Sequence, residues 1–161
     1  MSIDSSLWDV ARAARSFLEP VWPEWHRARN LHPDIPSRGT CGRSSLFLLR
    51  VLERDCRRRA EWATGVPDAA RNETASLGFF TGARWAAHSW VEIDHRWIVD
   101  ITADQFDLPA IIVTAIGDPR YERSARDPAS QHFRDARART VEELWPAWLG
   151  SAQRAHLRAI L

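Results

Sequence analysis

Apolar residues at Leu7, Val10, Ala11, Ala14 and Leu18 recur at close to a helical period and predict a helix over 4–18. Pro20 and Pro23 disturb that period, and Trp22, Trp25 and His26 accompany them. Residues 30–39 carry two prolines and a glycine and read as loop. Ser45, Leu48, Leu49, Leu52 and Cys56 then lie on one stripe, which predicts a helix over 42–57 with Cys41 just ahead of its first turn. Residues 61–65 read as a short strand. Residues 66–85, rich in Pro, Gly, Asn, Asp and Thr, are expected to form a loop that walls a cleft. Three strand-like segments follow, near 87–93, 96–102 and 110–115, and Asp118-Pro119 ends the last. Residues 119–139 are polar and predict no element, whereas 140–149 and 151–160 predict two helices split around Gly150. No internal repeat is visible. This order of elements predicts one α+β domain over 1–161.

Composition narrows the classes. With 161 residues and 45% apolar content, the chain has enough for one domain's core. Its 22 basic residues, all arginine, nearly balance 21 acidic ones for a net charge of +1. They are interleaved with acids, so no basic stripe points to nucleic acid, and Arg57–Arg59 read as the solvated end of a helix. Two cysteines make neither a disulfide framework nor a zinc site, which suits a reducing compartment. Along one helix, Cys41 and Cys56 would stand roughly 20 Å apart at about 1.5 Å per residue, beyond bonding range. No stretch approaches the ~20 apolar residues of a membrane span. Met1–Asp4 lacks a basic region followed by an apolar run. A cytoplasmic protein without a membrane partner is expected. His26, His32, His95, His132 and His156 have no partners at metal-ligand spacing, and Gly78 and Gly82 lack the setting of a phosphate loop. No metal or cofactor is expected.

The chemistry lies in Cys41, His88 and Asp100. A cysteine at a helix start gains thiolate character from unpaired backbone N–H groups and the helix dipole. Gly42 keeps that place uncrowded for a substrate carbonyl. A small buried hydrophobe is the alternative for Cys41, and its polar, glycine-flanked surroundings weigh against that; Cys56 continues an apolar stripe and reads as core. Side chains two apart on a strand share a face, so His88, Trp90 and Glu92 point one way, as do Ile98, Asp100 and Thr102 on the next strand. A hairpin with an odd loop such as Asp94–Arg96 makes His88 and Asp100 direct or diagonal neighbours, with Cβ atoms ~4.5–8 Å apart. A two-residue turn would separate them. Asp100 interrupts an apolar strand and needs a partner if buried, and the imidazole supplies one. His88 then serves as base and later acid, with Asp100 fixing its tautomer. Asp104 is the reserve orienting acid, and Gln105 either lines the site or shapes the bend. Trp85, Trp90 and the 66–85 loop are candidates for an apolar acyl pocket, although core packing accounts for both tryptophans equally well.

These residues resemble the transglutaminase-like branch of the papain-type cysteine enzymes. The likeness rests on Gly39-Thr40-Cys41-Gly42 before a helix, on His88–Ile93 and on Trp97–Thr102, and covers about residues 38–114. It implies a nucleophile-bearing helix packed on a small antiparallel sheet, with extra N- and C-terminal helices. It also implies Cys41 as nucleophile, His88 as base and Asp100 as orienting acid. The chain is far shorter than the large calcium-dependent cross-linking enzymes, and its His-to-Asp interval is a little tight. The oxyanion donors are expected to be the Cys41 N–H and a group from residues 30–40. The activity implied is thiol-dependent acyl transfer or amide hydrolysis (peptidase, amidase, deamidase or transamidase) on a peptide, protein or small amide. Two alternatives stand beside it. One is arylamine N-acetyltransferase-like transfer, since the acid strand 97–102 is similar there. The other is a non-catalytic interaction module on the same scaffold.

Overall fold

A computed structural model describes residues 5–67 and 76–161. The helices are α1 (Ser5–Leu18), α2 (Trp22–Arg27), α3 (Cys41–Arg54), α4 (Gln131–Leu149) and α5 (Ala152–Ile160). The strands are β1 (Ala60–Gly65), β2 (Gly78–Phe80), β3 (Trp85–Ala86), β4 (His88–Ile93), β5 (Trp97–Asp100), β6 (Ile112–Ala115) and β7 (Tyr121–Glu122), with a 3-10 turn at Ala103–Phe106. The chain is a mixed α+β protein. Among the described residues, no helix is long and apolar enough to cross a membrane.

Two antiparallel sheets organise it: a four-stranded one in the order β1-β4-β5-β6 and a small one in the order β3-β2-β7. α3 lies across β1 and β4 and is itself flanked by α1 and α4. The apolar stripe foreseen for α3 explains this placement, because Phe47, Leu48, Leu49, Val51 and Leu52 are all buried. They join α1, Trp148 of α4, Leu157 of α5, and Val91, Ile93, Val99 and Val113 from one face of the large sheet. The other face carries Ala63, Trp90, Ile98 and Ile112, covered by Phe79 and Tyr121 from the small sheet. The large sheet is thus packed on both faces, by helices on one and by the small sheet on the other.

The β4–β5 hairpin sets the register that matters for the site. Val91 stands opposite Val99 and Ile93 opposite Trp97, which leaves Asp94–Arg96 as a three-residue loop. Asp94 and His95 take positive φ, as a tight turn between twisted strands demands. Counting back along β4 and forward along β5 makes His88 and Asp100 diagonal neighbours on one face.

Several elements depart from the sequence expectation. α4 begins at Gln131 rather than 140, its N-terminus capped by the Ser130 hydroxyl, which accepts from the Phe133 N–H at 3.2 Å. Its first turns are polar because little of them is buried, so they lack the apolar signature of a core helix. The stretch expected to be one loop over 66–85 contains β2 and the start of β3; its residues 68–75 lie outside the described residues. Cys41 is the first residue of α3, with Thr40 as its N-cap.

Candidate active site

The nucleophile position is prepared by the turn before α3. The Thr40 hydroxyl donates to the Ser37 carbonyl at 2.7 Å, and the Ser44 hydroxyl donates to Thr40 Oγ1 at 3.2 Å. The first intrahelical bond runs from the Ser44 N–H to the Thr40 carbonyl, so the N–H groups of Cys41, Gly42 and Arg43 have no carbonyl one turn earlier. Gly39 reaches φ +72°, a conformation that a residue with a Cβ resists.

This turn is tied to the segment after Asp100. The Ser37 hydroxyl donates to Asp104 Oδ1 at 2.7 Å, and Arg15 grips both Asp104 oxygens at 3.0 and 2.7 Å. Arg15 also donates to the carbonyls of Ile101 and Ala110. Asp104 therefore joins the loop of the nucleophile to the strand of the acid, and its carboxylate is spent on Arg15 and Ser37 rather than on His88.

His88 and Asp100 are both 1% exposed. His88 Nε2 lies 2.7 Å from Asp100 Oδ2. Asp100 takes three more donors: Tyr121 Oη at 3.0 Å on Oδ2, and the Thr102 N–H at 2.9 Å and its hydroxyl at 3.4 Å on Oδ1. The imidazole is held between rings, edge-on to Phe79 and Phe106 and stacked with Trp90 at 6.3 Å between centroids. Nε2 is committed to the carboxylate, and Cys41 is near enough to the imidazole for each to shift the other's pKa. The Gln105 amide nitrogen stands 3.4 Å from Nδ1 but donates its shorter bond, 2.8 Å, to the Thr102 carbonyl.

The electrostatics follow from this line. Burial acts to raise the Cys41 pKa, yet the hydrogen bond and charge of His88, helped by the Ser89 N–H and opposed by Asp100, hold it below the ordinary thiol value. Burial likewise lowers the His88 pKa, but Asp100 outweighs it and, with Cys41, raises the imidazole to about 10. For Asp100, burial pushes upward and His88, Thr102 and Tyr121 prevail in lowering it. All three shifts favour the charged forms, thiolate beside imidazolium over an ionised carboxylate. Cys56 behaves oppositely: burial, then the charge of Asp55, raises it to about 11, leaving an inert thiol at the edge of the core.

A cleft of about 610 Å³ opens beside the sulfur. Gly39, Gly42, Thr64, Ala87 and Ser89 surround the thiol end, and α4 forms a wall through Phe133, Ala136, Arg137 and Thr140. The structure thus brings Cys41, His88, Asp100 and Gly42 together. Trp90 is instead buried beneath the imidazole at 1% exposure, and Trp85 packs against Phe80, so neither lines this cleft. Tyr121 was missed by sequence reading; it is the chain's one tyrosine and lies in a polar stretch without periodicity, so no local signal marks it. The cleft wall from α4 was missed for the same reason.

Compared with models of protein families, with curated proteins and with solved structures, the chain matches none.

Proposed function

We propose that this protein catalyses thiol-dependent acyl transfer, with Cys41 as nucleophile, His88 as acid and base, and Asp100 as the group that holds the imidazole. One observation carries the reading: a fully buried 2.7 Å bond between His88 and Asp100, with the imidazole and a thiol at a helix start lining one open cleft and shifting each other's pKa. The arrangement of α3 against an antiparallel sheet that supplies base and acid from neighbouring strands supports a papain- or transglutaminase-like core.

In the proposed sequence the Cys41 thiolate attacks an amide or ester carbonyl, and the oxyanion forms near the free N–H groups at the start of α3. The His88 Nδ1–H protonates the leaving amine or alcohol as the C–N or C–O bond breaks, leaving a thioester on Cys41 and a neutral imidazole. His88 then takes a proton from water or an amine, which attacks the thioester and frees the thiol. Water makes the protein a peptidase, amidase or deamidase; an amine makes it a transamidase. A peptide, protein or small amide fits as substrate, no nucleic acid or membrane is invoked, and two free cysteines suit a reducing, cytoplasmic setting.

Alkylation tests this reading. Cys41 should react with iodoacetamide at a rate that is already maximal well below the ordinary thiol pKa of about 8.5. His88→Ala should slow that reaction at neutral pH by about tenfold or more, because only a few per cent of an unassisted thiol is ionised there. A Cys41 that titrates as a free thiol and ignores the loss of His88 would sink the enzymatic reading and leave the interaction module.

A further inference from the structure

Three arginines, Arg29, Arg43 and Arg137, line the cleft that holds Cys41, and their circumstances differ. Arg137 is paired with Asp127, and its guanidinium lies 4.0 Å from the centre of the Trp62 ring. Asp127 is the one carboxylate among the lining residues, and Arg137 takes it. Arg43 stands two residues beyond the thiol on the first turn of α3, its guanidinium 4.5 Å from the centre of the Trp25 ring. Arg29 follows α2 and is exposed. Among the described residues, neither Arg29 nor Arg43 has a carboxylate partner. Both border the same cleft, and burial, followed by the charge of Arg29, pulls the Arg43 pKa below its ordinary value.

Two like charges without carboxylate partners at one rim, Arg43 half-buried and Arg29 exposed, cost free energy, and an anion set between them reverses the sign of that term. Guanidinium forks present paired N–H donors that match the oxygens of carboxylates and phosphates. Val66, Ala87, Pro128, Ala129 and Phe133 give the same cleft an apolar lining, which suits hydrocarbon. We propose that the substrate carries an anionic group, a carboxylate or a phosphate, which Arg29 and Arg43 hold while its acyl carbon meets Cys41. This rests on the acyl-transfer reading and adds the class of substrate to it.

Iodoacetate and iodoacetamide differ in charge at nearly equal size, so the ratio of their alkylation rates at Cys41 reads the rim. That ratio should fall about tenfold in Arg29→Gln/Arg43→Gln and by a smaller factor in each single variant, with the effect shrinking as salt screens the charges. Arg29→Gln replaces an exposed side chain, so it keeps the test sound if the Arg43 variant folds poorly. An unchanged ratio in Arg29→Gln and in the double variant overturns the proposal. Glutarate and pyrophosphate serve as competing probes against iodoacetamide in the wild-type protein. Protection by glutarate alone supports a carboxylate-bearing substrate, and protection by pyrophosphate alone supports a phosphate-bearing one. Protection by neither overturns the anion site. An activated thiol with an unmoved ratio defeats this inference only, whereas an ordinary thiol defeats the acyl-transfer reading and this inference with it.

Discussion

At the scale of residues, the linked protons of Cys41 and His88 set how stability depends on pH. The His88 pKa is raised, so its contribution is full below the unfolded value of about 6.5 and is lost as pH rises toward about 10. The Cys41 pKa is depressed, so its contribution is full above the unfolded value of about 8.5 and is lost as pH falls through the folded one. The two slopes oppose each other where these windows overlap, below about 8.5, and the loss of the His88 contribution stands alone above it. The site's contribution should therefore fall with pH most steeply between about 8.5 and about 10. Denaturant unfolding across pH, wild type against Cys41→Ala/His88→Gln, measures it. A slope of the difference no steeper above about 8.5 than just below it would show that thiol and imidazole are not coupled as described.

At the scale of elements, the close approach of the two sheets depends on missing side chains. Gly65 ends β1 directly opposite His88, and a Cβ there would strike the backbone of Gly78 and the Glu122 carbonyl. Gly78 takes φ +94° with the Ala86 carbonyl where its own Cβ would lie. Gly65→Ala should destabilise the fold by roughly 2 kcal/mol or more, since backbone rather than a flexible side chain must yield. A change in unfolding free energy below about 0.5 kcal/mol, the range of surface substitutions, would mean that the sheets do not meet there. The hairpin that aligns His88 with Asp100 was legible because alternation and an odd loop fix which side chains share a face. The thiol at a helix start was legible from one apolar stripe. Tyr121 and α4's first turns were not, because their roles come from contacts far along the chain and their own residues carry little apolar periodicity. Trp90 misled for a related reason: a tryptophan two residues from the candidate histidine fits a cleft wall or a core equally well by sequence, and only the packing of the small sheet decides.

At the scale of the whole molecule, Trp148 holds α4 to the body. Its ring meets Phe17 and Phe47 edge-on at 5.3 and 5.4 Å, and its Nε1 donates to Asp55 at 2.7 Å, a carboxylate that Arg154 of α5 also grips. Trp148→Ala should cost about 3–5 kcal/mol and loosen the wall of the cleft that α4 provides. Denaturant midpoints and the rate of Cys41 alkylation measured together test this, and full stability in the variant would count against α4 as an anchored wall. Sulfur and imidazole, moreover, are held from different sides: α3 packs on one face of the sheet that contains β4, while the ring of His88 is wedged among the aromatics beneath the small sheet. A shift of α3 on that sheet would part the sulfur from the imidazole without unfolding either. Their proximity thus depends on the packing of α3 against β4 as much as on the stability of each part.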